Sequence, residues 1–250
     1  MLADRRAASS ISKASTQTKI DLMLLKAVRL YKAIVPDRVR RCVRQLPGLK
    51  HLHRRVGQNV ELHDEIYNEA FYAEVGALET PERIWPLLDR MIDEFSPNSI
   101  IDAGCGNGTY MRRAQERGIE VHGVELSTVG LNICREHGLD VQPHDLTDES
   151  LLPWSADLVY SIEVAERFAK NYVRKLTTAA RHHCVPTAAL PGQDGTNHVN
   201  CQPNQYWIDL VQPHGFTFDR ETTERWRQLN RDQDLLPWLS RGLMIYHRNP

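Results

Sequence analysis

Short apolar runs alternate with amphipathic segments in the central part of the chain, from about residue 99 to residue 190. Each apolar run has the length of a strand and is followed by glycine or polar residues and then by a segment with helical spacing. This alternation is typical of a parallel sheet with helices on both faces. It predicts a doubly wound α/β fold.

The first 57 residues carry a positive charge that the overall composition hides. The formal net charge of the chain is −1, yet residues 1–57 hold 14 Lys or Arg against three Asp, a balance of +11. Residues 20–35 have apolar residues at helical spacing, which predicts an amphipathic helix. Three interpretations of residues 20–57 stay open: contact with an anionic membrane, packing on the domain or a second subunit, and a removable targeting segment. We predict a basic helical extension over residues 1–60 and one domain over residues 61–250.

Composition indicates the general class of the protein and its cellular compartment, but not its function. Hydrophobic residues make up 41% and charged residues 25% of the chain, which is typical of globular proteins. The five cysteines form no C-x-x-C pair, so neither a disulfide framework nor a metal site is predicted. No apolar run approaches the ~18 residues that cross a bilayer, and the start lacks a secretory signal. We expect a cytoplasmic protein, with the extension as a candidate for peripheral contact at the inner membrane face.

A glycine-rich turn follows the first apolar run of the alternating region. Asp102 lies in that run, and Gly104, Gly106 and Gly108 follow it just before a predicted helix. Glycines allow a sharp turn and the close approach of a ligand to the backbone. The dinucleotide fingerprint G-x-G-x-x-G would place its third glycine at Thr109, so a nicotinamide-dependent oxidoreductase is a disfavoured alternative. An ordinary strand-to-helix turn is the other alternative.

An acidic residue ends the next predicted strand as well. Glu125 comes 21 residues after Gly104, about where nucleotide-binding α/β units hold the ribose hydroxyls. A carboxylate accepts two hydrogen bonds from a vicinal diol. A cap for the helix that begins near Ser127 is the alternative role.

The glycine turn resembles the first motif of the class I S-adenosylmethionine-dependent methyltransferase family, which is written D/E-x-G-x-G-x-G. Asp102, Gly104, Gly106 and Gly108 match every defined position. The resemblance implies a Rossmann-like, seven-stranded, mostly parallel sheet and S-adenosyl-L-methionine as the cofactor. It also implies that the turn borders the methionine part of the cofactor and that Asp102 helps to position its amino acid end. Cys105, within the turn, is interpreted as a small filler there and not as a nucleophile.

The resemblance continues at the following strand ends. It implies that Asp145, at the end of the third apolar run, meets the exocyclic amine of adenine, while Leu146 flanks the ring. We add Leu126, next to Glu125, to the predicted cofactor contacts. The stretch from residue 157 to residue 167 resembles the family signature D-L-V-x-S-x-E-V-x-E-H, with Arg in place of the final His.

That signature and a later loop provide the candidate catalytic residues. By analogy, Glu163 and Glu166 lie near the reacting centre. The loop resembles the P-G-Q-x-G-x-x-H-V-N stretch of a bacterial methyltransferase subgroup often found beside surface-glycan and natural-product genes. Free imidazole titrates near neutral pH, so His198 is our candidate general base, with Gln193 and Asn200 as groups that orient the substrate. A loop-stabilising hydrogen bond is the alternative role for His198.

An S-adenosylmethionine-dependent methyltransferase that O-methylates a small molecule or a glycan is the predicted function. Tyr67 and Tyr72, from an aromatic cluster before the alternating region, are predicted to contact the substrate. A non-catalytic binding module that uses the basic arm is an alternative from another class. Nucleic acid is disfavoured as a partner because aromatic residues do not interleave with the basic ones.

Overall fold

The computed structural model describes residues 63–64, 66–165, 169–193 and 200–250. Their strands, in chain order, are β1 (Ser99–Ala103), β2 (Glu120–Glu125), β3 (Val141–Pro143), β4 (Ala156–Ser161), β5 (Ala180–Pro186), β6 (Phe216–Phe218) and β7 (Tyr246–Arg248). Their helices are α1 (Glu69–Leu78), α2 (Pro81–Phe95), α3 (Thr109–Glu116), α4 (Thr128–Glu136), α5 (Lys170–Ala179), α6 (Asn204–Val211), α7 (Arg220–Asp232) and α8 (Pro237–Arg241), with a 3-10 turn at Gln212–His214. The predicted extension and its membrane or subunit contact lie outside the described residues.

The strands form one sheet in the order β3-β2-β1-β4-β5-β7-β6. The pairs from β3 to β5 are parallel, whereas β7 runs antiparallel to both of its neighbours. This confirms the predicted seven-stranded, mostly parallel α/β fold. The strand order reverses between β1 and β4, and such a switch point opens a crevice at the carboxyl ends of the strands.

Helices cover both faces of the sheet. Ile100 packs in an apolar cluster with α2 and Trp226, whereas its neighbour Ile101 packs in a second cluster with Leu176 and Trp207. Successive side chains of a strand point to opposite faces, so β1 is buried from both sides along its whole length. Its continuous apolar run is typical of a central parallel strand.

Two elements are shorter than their sequence patterns indicate. β3 ends at Pro143, which is exposed and has no N–H to donate, so Asp145 lies in the loop beyond the strand. α1 begins at Glu69 because Asn68 caps it, accepting a hydrogen bond from the Phe71 N–H. Tyr67 therefore precedes the helix.

Candidate active site

The glycine turn joins β1 to α3 at the carboxyl edge of the sheet. Gly104 and Gly108 both have left-handed backbones, with φ values of 87° and 73°. A Cβ atom on Gly104 would lie 2.6 Å from a Val164 methyl, and one on Gly108 would lie 2.4 Å from a Leu139 methyl. Neither the conformation nor the space admits a side chain. The turn therefore brings its bare backbone to the edge where the other strands end.

Glu125, at the end of β2, binds the glycine turn directly. Its Oε2 accepts a hydrogen bond from the Gly106 N–H at 3.0 Å, and its Oε1 accepts from the N–H groups of Leu126 and Ser127, both at 2.8 Å. The parallel pairing of β2 with β1 brings this carboxylate beside the turn. Since a carboxylate has about four acceptor positions, Glu125 can hold the turn and still accept from a ligand hydroxyl.

Asp102 is the penultimate residue of β1 and is only 3% exposed. Burial raises the pKa of its carboxyl to about 8; the nearby Tyr160 hydroxyl opposes this shift, and the carboxyls of Glu125 and Glu79 add to it. Its Oδ2 has no hydrogen-bond partner of ordinary geometry among the described residues. A ligand ammonium beside this atom would satisfy it and favour the ionised carboxylate.

The loop after β3 provides another part of the site. Asp145 Oδ1 accepts a hydrogen bond from the Thr147 N–H at 2.7 Å, and Leu146 is buried next to it. A carboxylate can accept a hydrogen bond from an exocyclic amine, and an apolar side chain can cover an aromatic ring. The two predicted adenine contacts therefore lie together on one loop.

These strand ends surround a cavity of about 270 Å³. The predicted site residues on its wall are Tyr67, Tyr72, Asp102, Gly104, Cys105, Gly106, Glu125, Leu126, Asp145, Leu146, Glu163 and Gln193. Gly108 and Asn200 do not line it: Gly108 is the N-cap of α3, and the Asn200 side chain accepts a hydrogen bond from Gln202. His198 and Glu166 lie outside the described residues. The roles assigned to all of these residues stay predictions.

Cys105 lies in the turn with its Sγ 3.9 Å from the Sγ of Cys134. The contact with Cys134, together with burial, raises the pKa of the Cys105 thiol well above its ordinary value. The thiolate is the nucleophilic form of cysteine. The environment therefore favours a packing role for Cys105.

Glu163, just after β4, is held by side chains. Its Oε1 accepts from the Thr187 hydroxyl at 3.0 Å, and its Oε2 accepts from the Gln193 amide at 3.1 Å. Its own N–H donates to Thr187 Oγ1 at 2.7 Å. The backbone of Glu163 is left-handed, with φ of 57°, which is uncommon outside glycine. Gln193, predicted to orient the substrate, therefore contacts a candidate catalytic carboxylate.

Tyr67 and Tyr72 close one side of the cavity. The Tyr67 ring meets Phe71 edge-on at 4.8 Å, and Phe71 lies 5.3 Å from the Tyr72 ring. The Tyr67 carbonyl accepts from the Ser127 hydroxyl at 2.9 Å, and a Cβ on Gly130 would lie 2.6 Å from the Tyr72 hydroxyl. Both tyrosines therefore pack on α4, near the predicted cofactor contacts, and their role with the substrate stays a prediction.

Glu79, Tyr110 and Trp238 are among the residues that line the same cavity and were not predicted from the sequence. Burial raises the pKa of Glu79 to about 7. Within the described part of the chain, the Tyr110 hydroxyl and the Trp238 Nε1 are buried without a hydrogen-bond partner. Only Tyr110 had a sequence signal, since it follows the glycine motif closely. The other two come from segments outside every motif.

Comparison with known proteins shows which family and relatives this chain is similar to. Residues 100–187 match the family described as a methyltransferase domain. A ubiquinone biosynthesis O-methyltransferase from Stutzerimonas stutzeri is 26% identical over 136 residues, which cover 50% of this chain and 56% of that protein. The chain spans about half the length of the curated relatives it matches.

Solved structures share the fold. A sugar N-methyltransferase from Streptoalloteichus aligns with a TM-score of 0.58 at 15% identity, covering 73% of this chain and 94% of that one. A magnesium protoporphyrin IX methyltransferase from Synechocystis, solved with bound S-adenosylhomocysteine, aligns with a TM-score of 0.53 at 15% identity, covering 80% and 100%. At such identities the likeness concerns the fold alone.

Residues 100–187 therefore resemble a methyltransferase domain, and the fold is shared with methyltransferases such as the one solved with bound S-adenosylhomocysteine. The residues of the cavity fit the chemical groups of S-adenosylmethionine. Gly104 leaves the backbone of the turn uncovered, and the Oδ2 atom of Asp102 can accept a hydrogen bond from an ammonium. The carboxylate of Glu125 can accept from a ribose diol, and that of Asp145 can accept from the adenine amine. The match favours this class over the nicotinamide-dependent alternative.

Proposed function

We propose that the protein is an S-adenosyl-L-methionine-dependent O-methyltransferase that methylates a hydroxyl group of a small molecule or a glycan. The cavity on which Asp102, Glu125 and Asp145 converge from three strand ends carries the proposal. The match to O-methyltransferases of ubiquinone biosynthesis favours oxygen as the methylated atom. A glycan stays among the methyl acceptors because of the loop motif from residue 191 onward.

The cofactor, when bound, would supply an electrophilic methyl group to an oxygen nucleophile of the methyl acceptor and would be left as S-adenosylhomocysteine. The residues that would hold it are Gly104 and Gly106 at the methionine part, Asp102 at the ammonium, Glu125 at the ribose, and Asp145 and Leu146 at the adenine. The remaining task of the protein is to orient the hydroxyl of the methyl acceptor and to remove its proton.

His198 is the proposed proton acceptor, because imidazole titrates near neutral pH. Glu163 and Glu166 are proposed to lie at the reacting centre, with Gln193 and Asn200 as orienting groups. Glu163 supports this assignment, since its carboxylate is on the cavity wall and is fixed by two side-chain donors. A fixed carboxylate can accept a hydrogen bond from a hydroxyl or orient a protonated imidazole.

Calorimetric titration with S-adenosylhomocysteine and, separately, with NADH tests the cofactor. We expect binding of S-adenosylhomocysteine alone, and the reverse result would overturn the proposal. Incubation with S-adenosyl-L-methionine and a panel of phenolic, sugar and amine compounds, followed by mass spectrometry, tests the chemistry. Methylation confined to the amines would contradict oxygen as the methylated atom.

The basic extension is proposed to contact either an anionic membrane, at its inner face, or a second subunit. Its local charge of +11 supports contact with an anionic surface. Among the described residues, no helix is long and apolar enough to cross a bilayer. Flotation with anionic liposomes tests the membrane contact, comparing the wild type with a full chain in which Arg38, Arg40, Arg41 and Arg44 are changed to Gln. Loss of flotation supports the membrane; unchanged flotation contradicts an electrostatic membrane contact.

A further inference from the structure

Lys175, on α5, is completely buried beside the cavity. Lysine is almost never fully buried unless it is paired. Its Nζ donates to His144 Nε2 and to the Asp145 carbonyl oxygen, both at 2.9 Å, and to Asp148 Oδ1 at 2.5 Å. Nζ also donates to Ser150 Oγ at 3.3 Å. All four partners belong to the loop after β3, and His144 and Asp145 line the cavity.

Two other side chains of α5 hold the same loop. Asn171 donates to the Thr147 carbonyl at 2.7 Å, and Arg174 donates to the Glu149 carbonyl. Their partners lie farther along the loop and do not line the cavity. Of these three polar side chains, Lys175 is therefore the one that hydrogen-bonds to residues on the cavity wall.

The ammonium of Lys175 also determines the state of the His144 ring. Because an ammonium only donates, His144 Nε2 must accept, and the ring proton is then on Nδ1. Burial and the charge of Lys175 lower the pKa of His144, while Asp148 and Asp145 act in the opposite direction. His144 therefore stays neutral, with an Nδ1 donor, on the same loop as the Asp145 carboxylate.

Stability alone does not account for this arrangement. A buried ion pair costs desolvation, and an apolar side chain of similar volume is often equally stabilising. Although partial burial opposes it, Lys175 and the hydrogen bonds from Ser150 lower the pKa of Asp148 to about 2, so Asp148 is ionised beside Lys175 at neutral pH. The Asp148 side chain is 48% exposed, and loss of Lys175 would leave no carboxylate stranded in the interior.

We propose that Lys175 is a positioning residue of the cofactor pocket, which holds the loop after β3 so that the Asp145 carboxylate and the His144 Nδ1 donor serve one ligand. The proposal rests on the proposed function. Adenine offers the complementary groups, because its amine donates beside ring nitrogens that accept.

Lys175→Met removes the charge and nearly preserves the volume, and Lys170→Met, at the exposed start of the same helix, is the matched control. We expect S-adenosylhomocysteine to bind about tenfold more weakly to K175M at pH 8, as the loss of a charge-assisted contact predicts. K170M should bind like the wild type. Thermal unfolding of each variant shows whether the fold is intact.

A second measurement separates positioning from a merely structural role. NMR titration of the His144 ring, assigned with His144→Gln, should give a higher pKa in K175M than in the wild type. From pH 8 to pH 6, the affinity of K175M for S-adenosylhomocysteine should fall more than that of the wild type, because in K175M the ligand would then cover a protonated His144 ring. This additional fall should disappear in the double variant H144Q/K175M. If K175M does not fold, Lys175→Gln keeps the donors without the charge and should raise the pKa of His144 equally.

Unchanged affinity and an unshifted His144 in a folded variant would overturn the proposal. If the wild type binds no S-adenosylhomocysteine, that result contradicts the proposed cofactor and not the effect of Lys175 on His144. The His144 titration needs no ligand, so it decides in either case whether Lys175 sets the state of the ring.

Discussion

Two carboxylates on the cavity wall are held in different ways. Glu125 accepts hydrogen bonds from three main-chain N–H groups, at 2.8 to 3.0 Å. Glu163 accepts from two side chains, those of Thr187 and Gln193. Main-chain donors are present whatever side chains surround them, whereas side-chain donors are lost with a single substitution. The Glu125 part of the proposed cofactor site is therefore built into the backbone of the fold, and the Glu163 part of the side proposed for the methyl acceptor depends on individual side chains.

This difference accounts for the range of the similarities. Proteins of low sequence identity share the fold with this chain, and the glycine turn with its acidic neighbour needs little beyond the fold. The surroundings of Glu163 need particular partners. Substitutions on the two sides should therefore separate cofactor affinity from turnover.

Gly106→Asp should have the largest effect on the cofactor side. A Cβ atom at this position would lie 3.7 Å from Tyr72, its nearest neighbour, and Asp tolerates a left-handed backbone, so the fold should survive. The new carboxylate would lie beside Glu125 and block the approach of the ligand. We expect affinity for S-adenosylhomocysteine, measured by calorimetry, to fall at least about 100-fold. Gly118→Asp, also left-handed but with open space around it, should bind normally; equal losses would contradict the prediction.

His198→Ala tests the side of the methyl acceptor. Removal of a general base typically costs on the order of 100-fold in turnover, and we expect that loss in kcat with unchanged affinity for S-adenosylhomocysteine. His214→Ala, exposed in the 3-10 turn, is the control. An undiminished kcat in the His198 variant would remove the base assignment.

Glu125→Gln and Glu163→Gln form the direct test of the comparison. The amide at position 125 cannot accept as many N–H groups, so S-adenosylhomocysteine should bind about tenfold more weakly. The amide at position 163 should lower kcat by a similar factor and leave this affinity unchanged. Glu120→Gln, at the exposed start of β2, is the control for both. Equal effects of the two substitutions on affinity would show that the two sides are not separable.

The smallest expected effect is on the pH dependence of stability. The pKa of Asp102 is about 8 in the folded protein against an ordinary 3.8, so between these values the folded state binds a proton that the unfolded state has lost. The free energy of unfolding of the ligand-free protein should therefore fall as pH rises through this window. We expect Tm to drop by roughly 10 °C from pH 5 to pH 8.5, and Asp102→Asn to reduce that drop.

Calorimetric scans of the wild type and the Asn variant measure this difference. Glu79, with its pKa raised to about 7, contributes a drop of the same sign in both proteins and does not confuse the comparison. Identical pH profiles for the two proteins would mean that Asp102 ionises normally in the fold.

Much of the fold and part of the candidate site followed from local sequence. The apolar run of β1 and the spacing of the glycines after it are short-range features, since each reflects the conformation of a few consecutive residues. Glu125 was predicted from its spacing after the glycine turn, and Asp102 and Asp145 were predicted from the resemblance to the methyltransferase family. Glu79 and Trp238 were missed, because each reaches the cavity only through the packing of a helical segment distant in sequence.

The sequence alone determined the doubly wound sheet, the glycine turn and the positions of three acids at strand ends, because hydrophobic period and backbone conformation are encoded residue by residue. Only the tertiary structure decided how those groups are held. The burial that raises the pKa of Asp102, the three N–H donors on Glu125 and the reach of Lys175 to the loop after β3 all depend on elements far apart in the chain. Burial and hydrogen-bond geometry arise from packing, which no local pattern records.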